Sequence, residues 1–225
     1  MSESIASEER GRLRFILATL ALVAAWIITN SFFKTGWITA AILAFGVLII
    51  LITYVIRTDD QLIGKFIFFG LTAGFVELLA DAWLVARTKT LFYEHGEPLL
   101  LDSPIYMPVA WAVILVQIGY LGYYIYLRKG LLFATIVTGL IGGAIIPIYE
   151  YSAKGAGWWA YEDLHRMFLG ATPYYIILGE FLLALALPGL LILVSRRQFY
   201  WTLPIGAAMG IWIWISYFIA FQLLG

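Results

Sequence analysis

The chain has 225 residues, 63% of them hydrophobic and 12% charged, with 14 Lys and Arg balancing 14 Asp and Glu. This composition excludes an ordinary soluble domain, and the balanced charge leaves no basic field for nucleic acid. The lack of cysteine excludes disulfides, thiolate metal sites and cysteine nucleophiles.

The apolar residues fall in runs of about 20, the length at which a helix crosses a hydrocarbon core of ~30 Å. Strands of a membrane barrel would be about half as long and alternate in polarity. Residues 1–12 read as a polar N-terminal tail. The first apolar run is too long for a signal peptide and has no small-x-small cleavage site, so it is expected to stay as a helix. Seven spans follow in order, at about 13–33, 36–56, 65–86, 104–127, 131–153, 173–195 and 201–224. The expected fold is an all-α integral membrane protein, a seven-transmembrane helix bundle forming a single membrane domain over 1–225.

Basic residues set the expected direction. Arg10, Arg12, Arg14, Arg57, Lys65, Arg128, Lys129, Arg196 and Arg197 fall on one side. Lys34, Arg87, Lys89, Lys154 and Arg166 fall on the other. The bias places the N-terminus in the cytoplasm and the C-terminus outside in a multi-pass protein of the cell membrane. Two connections are long, 87–103 and 154–172, and both lie on the outer side. They carry Tyr93, Glu94, His95 and Glu97 in the first, and Trp158, Trp159, Tyr161, Glu162, Asp163 and His165 in the second. Long loops in a compact protein more often serve function than mere connection.

The chain also matches itself at an offset of 69: Gly70 with Gly139, Gly74 with Gly143, Asp81 with Glu150, Glu94 with Asp163, Pro104 with Pro173 and Tyr106 with Tyr175. The unit is helix, long loop, helix, so helices 3–4 and 5–6 form a parallel internal repeat. Each first helix carries Gly-x-x-x-Gly and then an acid seven residues on, all on one face. The glycines suit close helix contact, within one chain or between chains of a homo-oligomer.

Four acids fall inside spans: Glu77, Asp81, Glu150 and Glu180. Asp81 and Glu180 lie roughly 9–10 Å from the outer ends of their helices at 1.5 Å per residue. Glu150 is shallower and follows Pro147, which is expected to kink its helix. Glu77 is one turn deeper than Asp81 on the same face. A charge at such depth costs several kcal/mol, so these groups are expected as neutral carboxylic acids that mark a functional site. Arg87 is the nearest cation in sequence that can fold back to Asp81. Tyr106, Trp111, Tyr149, Trp159, Tyr161, Tyr174 and Tyr175 sit at similar depth, either as an interfacial belt or as pocket walls.

Neutral acids beside aromatic faces have a definite chemistry. The acid protonates an alkene or epoxide, and the aromatic faces hold the resulting cation. Water capture then gives hydration, internal capture gives cyclisation, and proton loss gives isomerisation. That chemistry calls for no cofactor. In this reading Asp81, Glu150, Glu180 and Glu77 are catalytic, and Tyr106, Trp111, Trp159, Tyr161 and Tyr175 bind a lipid-soluble isoprenoid arriving from the bilayer.

The run Glu150, Trp159-Ala-Tyr161, Gly170-Ala-Thr-Pro173 and Glu180 resembles the lycopene cyclase domain and the related carotenoid hydratase-type membrane proteins. The first unit offers Glu77 and Asp81, Phe92-Tyr93, and Ser103-Pro104 leading to Trp111, so the resemblance covers about 66–195. A single acid, Glu180, follows Pro173 here, where the cyclase pattern has a pair. The resemblance implies a carotenoid or isoprenoid cyclase or hydratase.

Two other classes compete. Intramembrane acids and a repeat also suit a small proton-coupled transporter, although the spans show no polar path through the inner half. A non-catalytic lipid-binding or assembly protein would use the acids only to tie helices together. A retinal Schiff base is excluded because 201–224 contains no lysine. A metal site is a fourth reading, with His95, Glu94 and Glu97 meeting His165, Glu162 and Asp163 above the membrane, but neither His falls at a standard ligand spacing and the expected reading is a solvated loop without metal.

Overall fold

A computed structural model describes residues 3–93, 96–162 and 166–225, with side chains from Ser7 onward. Among the described residues are seven helices long and apolar enough to cross a membrane, and the protein is a multi-pass membrane protein. They are α1 (Glu3–Ser31), α2 (Trp37–Thr58), α3 (Gln61–Trp83), α4 (Met107–Lys129), α5 (Leu131–Ala156), α6 (Tyr174–Arg196) and α7 (Thr202–Leu224). A π-helical turn, Leu84–Thr88, prolongs α3.

The long connections hold short strands: β1 (Leu91–Tyr93), β2 (Leu99–Leu100) and β3 (Ser103–Pro104) in the first, and β4 (Trp159–Tyr161), β5 (Met167–Phe168) and β6 (Thr172–Pro173) in the second. Strands β2 and β3 pair within the first connection, and β5 and β6 within the second. The two connections meet through β1 and β4, which pair antiparallel with Leu91 opposite Tyr161, Phe92 opposite Ala160 and Tyr93 opposite Trp159. Alternation along a strand puts Leu91, Tyr93, Trp159 and Tyr161 on one face. Phe92, on the other face, is 40% exposed. Helix α4 begins at Met107 rather than at 104, because Ser103 and Pro104 are taken up by β3.

Helix α3 packs on α4 and α7, α5 on α6, and α6 on α7. The Gly-x-x-x-Gly faces make these contacts inside the chain. A Cβ at Gly74 would stand 2.3 Å from the Pro108 carbonyl oxygen, and one at Gly70 would stand 2.9 Å from that of Ala112. On α5, a Cβ at Gly143 or Gly139 would meet Phe181 of α6. Helices α4 and α5 are joined by one residue, Gly130, at φ +82°, a conformation that glycine adopts without steric cost. They touch near this joint, where Gly122 faces Thr138.

The expected polar tail at 1–12 is corrected. It is helical from Glu3, and its inner part is docked. The Arg12 Nε donates to Asp60 Oδ2 at 2.6 Å, and a second Arg12 nitrogen donates to Glu9 at 2.6 Å. Glu9 is buried and also accepts from Tyr120 of α4 at 2.7 Å. Asp60 meanwhile caps α3, accepting from the amides of Leu62 and Ile63 at 3.1 Å. A polar composition at a chain end reads as solvated, yet one arginine shared among carboxylates makes burial tolerable. Further along α4, Gln117 donates to Thr19 of α1 at 3.1 Å. Buried polar groups thus also lie between α1 and α4, toward the end of the bundle remote from the β1–β4 pair.

Two outcomes are expected. Gly74→Leu should cost about 1–3 kcal/mol through overpacking, read as a lower melting temperature in detergent. Gly46→Leu, where a Cβ meets nothing within 4 Å, serves as its control. Arg12→Met leaves buried acids without their cation and should cost about 3–5 kcal/mol in the same assay.

Candidate functional site

Three of the four acids expected to be catalytic line one cavity. It occupies about 120 Å³ beneath the β1–β4 clasp, among α3, α4, α5, α6 and α7. Asp81 comes from the last turn of α3, Glu150 from α5, and Glu180 from α6. Their aromatic neighbours on its wall are Tyr93, Trp111, Tyr149, Trp159, Tyr161 and Tyr217. The remaining wall is aliphatic, including Ile114 and Ile118 of α4 and Leu183 and Leu187 of α6. From Met107 to Ile118 the cavity follows α4 for about 16 Å at 1.5 Å per residue. On its α5 side the wall includes Ile145, which is 41% exposed on the surface that faces lipid in a membrane protein.

Each acid is held by donors from another element. Asp81 accepts from Tyr93 of β1 and from Ser103 of β3 through the same oxygen, Oδ2. Glu150 accepts from the Trp159 indole at 2.6 Å. Glu180 accepts from Tyr217 of α7 at 2.6 Å. The inward face of the clasp therefore supplies both the roof of the cavity and the partners of two acids. Burial first, and then the neighbouring acid, push the phenols of Tyr93 and Tyr161 well above the usual tyrosine range. Both keep their protons at neutral pH.

The other expected site residues are placed differently. Glu77 is fully buried one turn along α3, with Asp81, Trp111 and Glu180 as polar neighbours, but it does not line the cavity. Neither of its carboxyl oxygens has a hydrogen bond of sound geometry. Tyr175 stands one layer back: its hydroxyl bonds to Thr90 at 2.7 Å, and its ring meets that of Tyr161 edge-on at 6.5 Å. Tyr106 belongs to a smaller cavity of about 30 Å³ next door, facing α1 and α2. Trp111, Trp159 and Tyr161 are in the main wall. Arg87 is exposed and makes no ion pair with Asp81, whose hydrogen bonds come from neutral hydroxyls instead.

Sequence reasoning did not place Tyr93, Ser103 or Tyr217 in the site. Tyr217 had a readable signal, since it lies seven residues from the end of its span, about as deep as Glu180. Among the described residues no three His, Asp or Glu side chains come close enough to hold a metal ion. Glu94, His95, Asp163 and His165 lie outside the described residues.

What the arrangement can do is specific. Each of the three acids reaches a largely apolar space bounded by π faces, with Tyr149 and Trp159 at 5.7 Å between ring centroids. Cations near such faces are stabilised by roughly 0.5–2 kcal/mol each. If the indole bond orients Glu150, a double-mutant cycle between Trp159→Phe and Glu150→Gln should give a coupling of about 1 kcal/mol or more in detergent stability. Additivity of the two changes would contradict that bond.

No curated protein and no solved structure gives a match to the chain. The model of one family does, over residues 78–224, which take in Asp81, Glu150, Glu180 and both strands of the clasp but stop short of Glu77 and of α1 and α2. By that match the chain belongs to the DUF6989 family, a domain of unknown function.

Proposed function

We propose that this protein is a membrane enzyme that modifies an isoprenoid-class lipid by carboxylic-acid protonation of an alkene or epoxide. The observation that carries the reading is the convergence of Asp81, Glu150 and Glu180, from three helices, on one aromatic cavity. A neutral acid transfers its proton to an alkene carbon, which leaves a cation on the adjoining carbon and a carboxylate behind. Trp111, Tyr149, Trp159 and Tyr161 are the π faces near that cation. The carboxylate left behind takes a proton back from the cation or from the water that captures it, so the acid is restored and the site returns to its starting charge. Glu77 stands behind Asp81 as a proton partner. The apolar wall along α4 and the lipid side of α5 suit a long hydrocarbon chain taken directly from the bilayer.

The parallel repeat is part of this proposal. Strands β3 and β6 lie 69 residues apart, as do the contacts of Gly74 with Pro108 and of Gly143 with Ile177. The basic-residue bias places the clasp on the outer side of a cell membrane, with the N-terminus in the cytoplasm. A homo-oligomer is not required by the glycines, which are spent inside the chain.

One observation favours a proton-coupled transporter as the second reading. Gln117, Thr19, Tyr120 and Glu9 supply buried polar groups between the cavity and the far end of the bundle.

Expression in an isoprenoid-producing bacterium followed by mass spectrometry of lipids separates these readings. The wild type should yield a hydrated, cyclised or isomerised isoprenoid. The variants Asp81→Asn, Glu150→Gln and Glu180→Gln should each lower it by about 10²-fold or more, the usual size of an acid–base contribution. Identical lipid profiles, together with proton flux in proteoliposomes that the same variants abolish, would overturn the enzyme reading in favour of transport.

A further inference from the structure

The smaller cavity has an asymmetry that the proposed chemistry does not use. Its walls come from Val23 of α1, Ala40 and Leu43 of α2, and Tyr106 and Gln117 of α4, with Trp158 above. Ala110, Ile114, Tyr149 and Trp159 line both this space and the main cavity, so the two are separated only at the level of these side chains. Gln117 is completely buried, ten residues along α4 from Met107. Its amide nitrogen is engaged with Thr19, and the Thr19 hydroxyl is engaged in turn with the Ile16 carbonyl at 2.9 Å. The Gln117 Oε1 has no partner.

A buried amide oxygen without a donor is destabilising, far more so than a leucine there would be. The cost is recovered when a ligand brings the donor. The surrounding walls are apolar apart from the Tyr106 and Tyr149 hydroxyls and the Trp158 and Trp159 indoles, which are engaged with Thr39 and Glu150, so a donor arriving here suits a hydrocarbon body. An acceptor selects a hydroxyl over a carbonyl or a bare chain end, because neither of the latter can donate. A volume of about 30 Å³ admits a chain terminus, not a headgroup.

Resting on the isoprenoid reading of the main cavity, we propose that the smaller cavity is a hydroxyl subsite, and that the substrate is an isoprenoid alcohol. Its chain lies in the main cavity against the acids, and its hydroxyl donates to Gln117 Oε1. The subsite fixes which double bond faces Glu150 by anchoring one end of the chain.

The test uses the purified full chain in nanodiscs and two probes, geranylgeraniol and the matching hydrocarbon without its hydroxyl. Binding is followed through quenching of tryptophan fluorescence. The wild type should bind the alcohol at least about tenfold tighter than the hydrocarbon, a small part of what hydroxyl-reading sites can achieve. Gln117→Leu and the longer, unbranched Gln117→Met should weaken alcohol binding to the hydrocarbon level and leave hydrocarbon binding unchanged. The wild-type ratio stands as a test even where neither variant folds. Equal wild-type affinities would overturn the subsite alone, as expected if Gln117 merely holds a water. Failure of both probes to bind would overturn the isoprenoid reading and the subsite together.

Discussion

The site depends on one short antiparallel pairing. Three residues from each long connection meet across the end of the bundle, and the register sets Tyr93 opposite Trp159. These two side chains hold Asp81 and Glu150, which come from separate helices, α3 and α5. Slipping either strand by one residue would turn Phe92 or Ala160 inward and take away the Tyr93 or the Trp159 donor. A two-stranded ribbon of this length has no stability of its own in water. It persists because Trp158, bonded to Thr39 of α2, and Tyr161, packed on Tyr175, tie its second strand to the helices below.

Burial of the acids and their partnering are two sides of the same constraint. A carboxyl group in hydrocarbon needs hydrogen bonds, and here every donor is neutral: two phenols, one alcohol and one indole. An arginine in their place would fix the acids as permanent anions. The chain does use that solution at the far end of α1, where Arg12 is shared by Glu8, Glu9 and Asp60. The molecule therefore keeps two kinds of buried acid apart, one locked to a cation and structural, the other held by neutral donors.

How much of this was legible in the sequence follows from the physics of each residue. Seven spans could be read because hydrocarbon thickness imposes their length. Asp81, Glu150 and Glu180 stood out because a carboxyl is conspicuous in an apolar run, and their depth follows from counting residues. Rotation about each helix axis is harder to read than depth. Tyr106 and Tyr175 have the right depth but face the neighbouring cavity and a second layer. Tyr93, Ser103 and Tyr217 carry no charge and look like ordinary interfacial residues until the partner helix is known. The docked start of α1 was hidden because Glu9 and Arg12 gain a reason for burial only from Asp60, 48 residues from Arg12.

The single-residue joint at Gly130 has a mechanical consequence. Helices α4 and α5 are pinned together at the end remote from the clasp, touch again at Gly122 and Thr138, and part only where the cavity begins. Two rods fixed this way behave like forceps: they can change angle but cannot slide past one another. A bulky chain arriving from the bilayer would therefore widen the space by levering α5 outward about the joint, with the largest displacement at the tips, where β4 leaves α5. The opening stroke would then load the β1–β4 pairing, since β4 follows α5 directly.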